Sequence, residues 1–168
     1  NPFATIQHGL NTAEEGDLVS VEAGTYTENI SWPSKNGISL VGSGAEECVI
    51  DGNNIGKVIL INYSNIDTTT LISGFTIKNG LAAGGSPGNV GAGICLLSEY
   101  SSPILENLII TENICVGAFG GGILCYNQNS PIIRNVIITN NANNSSSNRG
   151  AGIACNDESN PILINVTI

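Results

Sequence analysis

The sequence predicts an all-β solenoid, a parallel β-helix of about five three-strand coils behind a short N-terminal capping helix, on three observations. A G-x-G-I tetrad recurs at Gly91, Gly120 and Gly150, spaced 29 and then 30 residues apart. Each tetrad is followed by a proline, Pro103, Pro131 or Pro161, and four residues later by Asn107, Asn135 or Asn165. Strand-like runs are separated almost everywhere by Gly and Asn, and a helical pattern occurs once, at the N-terminus. Self-similarity at this period marks repeat units that bury a continuous core only by stacking.

The elements follow in order. Residues 2–15 place Phe3, Ile6 and Leu10 at helical spacing, and Gly16-Asp17 ends the pattern. A stack of coils exposes its strand edges and core at each end, so residues 1–17 are expected to cap residues 18–168. Strand-like runs occupy residues 18–21, 28–32, 38–41, 48–51, 58–62 and 71–77, and the pattern leaves the coil boundaries between 48 and 77 open. In the clear repeats the first strand covers residues 94–97, 123–126 and 153–156. A turn ending in Pro leads to the second strand, the Asn bends the chain, and the third follows at once. No helix pattern returns, so the connections are short turns. The repeated block also lacks the paired runs joined by Asn-Gly that an antiparallel sandwich would need.

Alternation along the first strand assigns its faces. Ile94, Ile123 and Ile153 point inward with Leu96, Cys125 and Cys155, while Cys95, Leu124, Ala154 and then Leu97, Tyr126, Asn156 point outward. The five cysteines have no C-x-x-C spacing, so they read as small core residues and not as a metal site. Cys125 and Cys155 are expected to stack as free thiols, because in-register parallel neighbours are poorly angled for a disulfide. Glu106 and Arg134 occupy equivalent places in adjacent coils and predict a cross-strand ion pair.

Composition excludes several partners. The net charge of −9 disfavours nucleic acid and anionic lipid, which need Lys and Arg against phosphate. No run of about 20 apolar residues predicts a membrane-spanning helix. The chain stops inside a strand-like run at residues 166–168, which predicts a piece trimmed at its C-terminal end, with an exposed last coil available for self-association.

The block ATIQHGLNTAEEGDLVSVEAGTYTENI, with ISLVGSG and VIDGN after it, resembles the opening of secreted right-handed β-helix proteins of the pectate lyase and pectinesterase superfamily. The GGGI…SP…N repeat resembles β-helix repeat proteins and the polymorphic outer-membrane adhesins of bacteria. The resemblance implies a right-handed winding and a secreted or cell-surface bacterial setting. It also implies a buried asparagine ladder of Asn107, Asn135 and Asn165, starting only at Asn107 because the preceding coil carries Gly74 there. Glu28 matches a position that is structural in that superfamily. One scaffold hosts lyases, hydrolases, esterases, adhesins and stalks, so activity must be argued from side chains.

Those side chains argue against catalysis. A lyase of this kind needs carboxylates around calcium and a basic Arg or Lys on the outer face of the first strand, and calcium needs several converging oxygens. The outward column offers Cys95, Leu124, Ala154, Leu97, Tyr126 and Asn156, and the only charged groups near it are Glu99, Arg149, Asp157 and Glu158. Glu99 and Asp157 are two coils apart, about 10 Å, with no third group to complete a hydrolase. A pectinesterase-like pair of Asp with Arg is missing from the central coils. Asp51 reads as a turn cap, His8 as a cap-helix residue, and the Gly clusters lack the Lys-Ser/Thr of a phosphate loop.

The expectation is therefore a noncatalytic segment serving adhesion or polysaccharide binding, with no cofactor and no metal. The loops at 80–90, 116–119 and 142–149 are expected to stack and wall a shallow groove. Tyr126, with Tyr100, Asn156 and Asp157 near it, offers a sugar an aromatic face. Two alternatives stand beside this: a polysaccharide lyase, hydrolase or esterase whose catalytic coils lie outside the sequence, and a passive stalk.

Overall fold

The structure, a computed structural model, describes residues 3–84, 89–117, 119–144 and 149–168. Helix α1 (Ile6–Thr12) opens it and buries Ile6, Gly9 and Leu10. Thr5 caps its start, its hydroxyl accepting from the His8 N–H at 3.1 Å. The Glu28 carboxylate accepts from the N–H groups of Ile6 and Gln7 at 2.9 and 3.0 Å, laying negative charge on the helix N-terminus. That contact is the physical content of the structural role implied for Glu28. The helix is shorter than residues 2–15. Thr5 starts it after Phe3, which stands 52% exposed against the His8 ring, and the Glu14–Asp17 turn closes it.

The strands that follow are β1 (Leu18–Val21), β2 (Gly24–Thr27), β3 (Ile30–Ser31), β4 (Ser39–Gly42), β5 (Cys48–Asp51) and β6 (Ile59–Ile61). Next come β7 (Leu71–Ser73), β8 (Thr76–Lys78), β9 (Leu81–Ala82), β10 (Ile94–Leu96), β11 (Ile104–Thr111) and β12 (Ile114–Cys115). The last are β13 (Ile123–Cys125), β14 (Ile132–Thr139), β15 (Ala142–Asn143), β16 (Ile153–Cys155) and β17 (Ile162–Thr167). The chain returns to the sheet position of β1 at β4, β7, β11, β14 and β17, always in parallel. A second line stacks β3, β6, β10, β13 and β16, and a third stacks β9, β12 and β15. Sequence reading missed β2 and the two-residue strands of the third line, and it joined β7 to β8 across the break at Gly74.

Register is one residue to one residue along the tetrads: Ile59, Ile94, Ile123 and Ile153 lie on successive rungs. The two glycines of the tetrad serve different ends. The first, at Gly91, Gly120 and Gly150, takes φ of 61°, 71° and 53°, the left-handed region that glycine enters without strain. The second lies hard against the next rung, since a Cβ on Gly93 would stand 2.4 Å from Gly122 O, and one on Gly122 2.6 Å from Gly152 O.

Inside the winding, Ile30, Ile59, Ile94 and Ile123 join Leu96, Leu105, Cys125 and Ile133 in one core, with Trp32 and Phe75 as its largest buried side chains. Each such aliphatic contributes on the order of 1.5–3 kcal/mol by leaving water. All five cysteines are free, and Cys125 lies in register with Cys155, as expected, but Cys155, expected in the core beside Cys125, is exposed. The Glu106–Arg134 pair forms at 2.9 Å. Asp51 caps its turn, accepting from the Asn53 N–H at 2.8 Å.

The buried ladder is not where it was expected. Asn107, Asn135 and Asn165 are all exposed, because their φ values of 52°, 55° and 53° bend the strand so that the side chains leave on the outer side. Asn165 Nδ2 donates to Asn135 Oδ1 at 2.9 Å, while Asn107 Nδ2 reaches only Ser73 Oγ at 3.4 Å. Gly74 does precede Asn107 in the stack, its N–H donating to Asn107 O. Buried amides occupy other turns. Asn113 is fully buried, and its Oδ1 accepts from the Gly80 N–H at 2.8 Å. On the next rung Asn141 Oδ1 accepts from both the backbone N–H and the Nδ2 of Asn113 at 3.0 Å. These two satisfy backbone groups that would otherwise be stranded at the corner after β11 and β14.

Candidate functional site

The outer face of β10, β13 and β16 carries the residues expected there, but it is not open. Cys95 and Leu124 are fully buried and Ala154 nearly so. Val90, Phe119 and Arg149 pair in parallel as a further line of bridges, and Val90 and Phe119 pack with the column as a second small core. Alternation fixes which way a strand residue points; it carries no information about a loop that returns across it. The described parts of the three loops stack as expected, through β9, β12 and β15 and through the Val90–Phe119–Arg149 line. Residues 85–88, 118 and 145–148 of those loops lie outside the described residues.

At the edge of this second core stands Tyr126, half-buried. Its ring lies 6.4 Å from that of Phe119, tilted by 42°, and the Arg149 guanidinium sits 4.8 Å from the Phe119 centroid. Arg149 thus holds a cation against an aromatic face, an attraction worth about 0.5–1 kcal/mol at exposed sites. Asp157 beside the Tyr126 hydroxyl pushes that phenol's pKa up, first by hydrogen bonding to its neutral form and then by charge. Asp157 itself is exposed in a turn with φ of 47°, and its carbonyl accepts from the Gln128 N–H at 2.8 Å. Asn156 is half-buried and tied to the preceding rung through its N–H and Cys125 O at 3.0 Å. Tyr100 belongs to the adjoining turn: it is 53% exposed, and its N–H donates to Asn127 O.

The structure therefore gathers Tyr126, Asn156 and Asp157 with Phe119 and Arg149, and sets Tyr100 one turn away. Phe119 was not singled out from sequence, and Arg149 was named only as a charged group near the outward column. The signal for them was present, because Val90, Phe119 and Arg149 each stand immediately before a tetrad and so must form a column. Asn129 was missed as well. It is fully buried below the turn, its Oδ1 accepts from the Ser101 N–H, and its Nδ2 donates to Leu96 O at 3.0 Å and to Tyr126 O, holding the backbone that carries the ring. Among the described residues no group of three His, Cys, Asp or Glu is placed to hold a metal ion, and no helix is long and apolar enough to cross a membrane.

The Cys125–Cys155 thiol pair, on the inner side of β13 and β16, is asymmetric. The Cys125 S–H hydrogen bond to Cys155 lowers the Cys155 pKa to about 7, while that bond and burial push Cys125 well up. Thiolate is the reactive form. In the 168-residue chain, iodoacetamide is expected to label exposed Cys155 well before the four buried thiols, with the rate falling to half as pH drops to about 7. Equal labelling of all five, or a midpoint at the ordinary thiol value, would contradict the stacked arrangement.

A family model described as a right-handed beta helix region matches residues 23–168. A search of curated proteins and one of solved structures found no match. The matched span runs from β2 through β17, the same residues that wind in parallel register, and the chain belongs to the right-handed β-helix family.

Proposed function

We propose that this chain is a noncatalytic segment of a secreted or cell-surface bacterial β-helix protein, serving adhesion or polysaccharide binding. Family membership alone suits an enzyme, a binder or a stalk equally. The observation that carries the reading is the Tyr126 ring set against Phe119, with Arg149 and Asp157 beside them. An aromatic face meets the C–H face of a sugar ring, while charged and amide groups around it meet the hydroxyls. The β-helix delivers these groups on a wall that needs no rearrangement, which lowers the ordering cost of binding.

An array of short oligosaccharides, probed with the 168-residue chain, tests this. The wild type is expected to retain at least one of them. Tyr126→Ala is expected to bind that glycan at least tenfold more weakly, a loss of about 1.4 kcal/mol. Retention of no sugar would leave the passive stalk as the reading, and unchanged binding by the variant would remove Tyr126 from the site.

A further inference from the structure

We infer that the free edge of β1 is a docking site for a basic peptide in extended form, which adds to the sheet as one more strand. β1 lies at the end of its sheet and pairs with β4 alone. Asp17 O accepts from the Ser39 N–H at 2.9 Å, and Leu18 stands opposite Ser39. Successive residues of a strand turn their backbone groups to opposite sides, so Val19 and Val21 face β4 while Leu18 and Ser20 face the open edge. The N–H and C=O groups of Leu18 and Ser20 meet no partner among the described residues.

The neighbouring edge, by contrast, is closed. Gln7 on α1 lays its side-chain amide against β3 as a strand would, its Oε1 accepting from the Ser31 N–H at 2.7 Å and its Nε2 donating to Ser31 O at 2.9 Å. The helix offers β1 no such group. It approaches β1 at Gly9, where an added Cβ would lie 3.0 Å from Val19 Cγ1. A cavity lies on each side of that approach, one of about 240 Å³ reaching Val21 and Tyr26, the other of about 410 Å³ reaching Thr12 and Leu18. Phe3, Val19 and Ser20 line both, so the two form one groove along the strand. Exposed Phe3 and Leu18 give its rim apolar surface for the side chains of an added strand.

Charge selects the occupant. Residues 1–34 contain five acids, Glu14, Glu15, Asp17, Glu22 and Glu28, and no Lys or Arg. Lys35 answers Glu14, and the N-terminus of α1 answers Glu28. Asp17 and Glu22, which stand immediately before and after β1, have no cation beside them among the described residues. A strand with Lys at both ends therefore meets a carboxylate at each, whichever way it runs. A second copy fits less well. Centred antiparallel pairing of β1 with β1 sets Asp17 opposite Glu22, and in-register parallel pairing sets Asp17 opposite Asp17, like charges that oppose pairing. The edge lies at the other end of the stack from β16 and does not rest on the Tyr126 reading.

Fluorescence polarisation of a labelled peptide, Lys-Thr-Val-Thr-Val-Thr-Lys, titrated with the 168-residue chain tests it. The peptide is expected to bind and to slow hydrogen exchange at the Leu18 and Ser20 amides. A copy N-methylated at every Thr and Val keeps the side chains but loses the backbone donors, and it is expected to bind at least about tenfold more weakly. Ser20→Pro removes one edge N–H without touching a bond to β4, and it is expected to lose about tenfold as well. Glu22→Lys, at an exposed position, serves if that variant folds poorly. It is expected to weaken the basic peptide by about threefold, the size of one exposed ion pair, and to strengthen a peptide with Glu at both ends. No binding at about 1 mM protein would overturn the proposal, as would equal affinity for the N-methylated peptide or unchanged exchange at Leu18 and Ser20. Protection of those two amides without peptide, in a protein that sediments as a dimer, would give the edge to a second copy and overturn it too.

Discussion

Gly93→Ala is expected to destabilise the protein by about 3 kcal/mol, at the upper end of the cost of overpacking a rigid interior. The added Cβ would stand 2.4 Å from Gly122 O and 3.0 Å from Asn113 Nδ2. Neither neighbour can give way freely. Gly93 is hydrogen-bonded to both adjoining rungs, its N–H donating to Gly121 O and its O accepting from the Ile59 N–H, each at 2.9 Å. For a chain of this length the loss corresponds to a melting temperature lower by about 6–12 °C. Gly56→Ala is the matched control, since its Cβ would meet nothing closer than Asn29 Nδ2 at 3.6 Å, and it should move the melt by no more than about a degree or two. A Gly93→Ala protein that melts with the wild type would show rungs lying farther apart than this fold allows.

Asn113→Ala is expected to cost about 3–4 kcal/mol, although it deletes no apolar surface. The side chain is fully buried and serves four partners: the Gly80 N–H, Ile77 O, Thr111 O and Asn141 Oδ1. Truncation strands the Gly80 donor and the Ile77 acceptor away from water, and each such group costs about 1–3 kcal/mol. Asn135→Gly, by contrast, removes an exposed amide at a bend glycine tolerates, and it should cost less than about 1 kcal/mol. Urea denaturation of the two variants separates these outcomes. Equal losses would return the structural ladder to Asn107, Asn135 and Asn165.

That contrast shows what could be read from the chain and what could not. The tetrad spacing placed Ile94 over Ile123 over Ile153 and Glu106 over Arg134 before any coordinates, because in-register stacking converts a period directly into contacts. A similar spacing of 28 residues separates Asn113 and Asn141, but an asparagine two residues past the Thr that ends a strand also reads as an ordinary turn residue. Whether a bend asparagine points in or out depends on the handedness of its φ, which spacing does not encode. The wall over Cys95 and Leu124 was legible only in part: places before the tetrads give a column, but not that the column folds back over the strand. Its cover comes from Val90 and Phe119, whose own strand line is only isolated bridges. The site was half legible in consequence: Tyr126, Asn156 and Asp157 follow from strand phase, whereas Phe119 and Arg149 follow from the path of a loop.

Everything proposed for the Tyr126 wall and the β1 edge depends on coils wound in constant register. Interstrand nuclear Overhauser contacts test that register most directly. The account predicts cross-peaks joining Ile94 to Ile123, Cys95 to Leu124 and Leu96 to Cys125, so that the partner number rises as the residue number rises. Contacts in which the partner number falls as the residue number rises, the signature of paired hairpins, would contradict it.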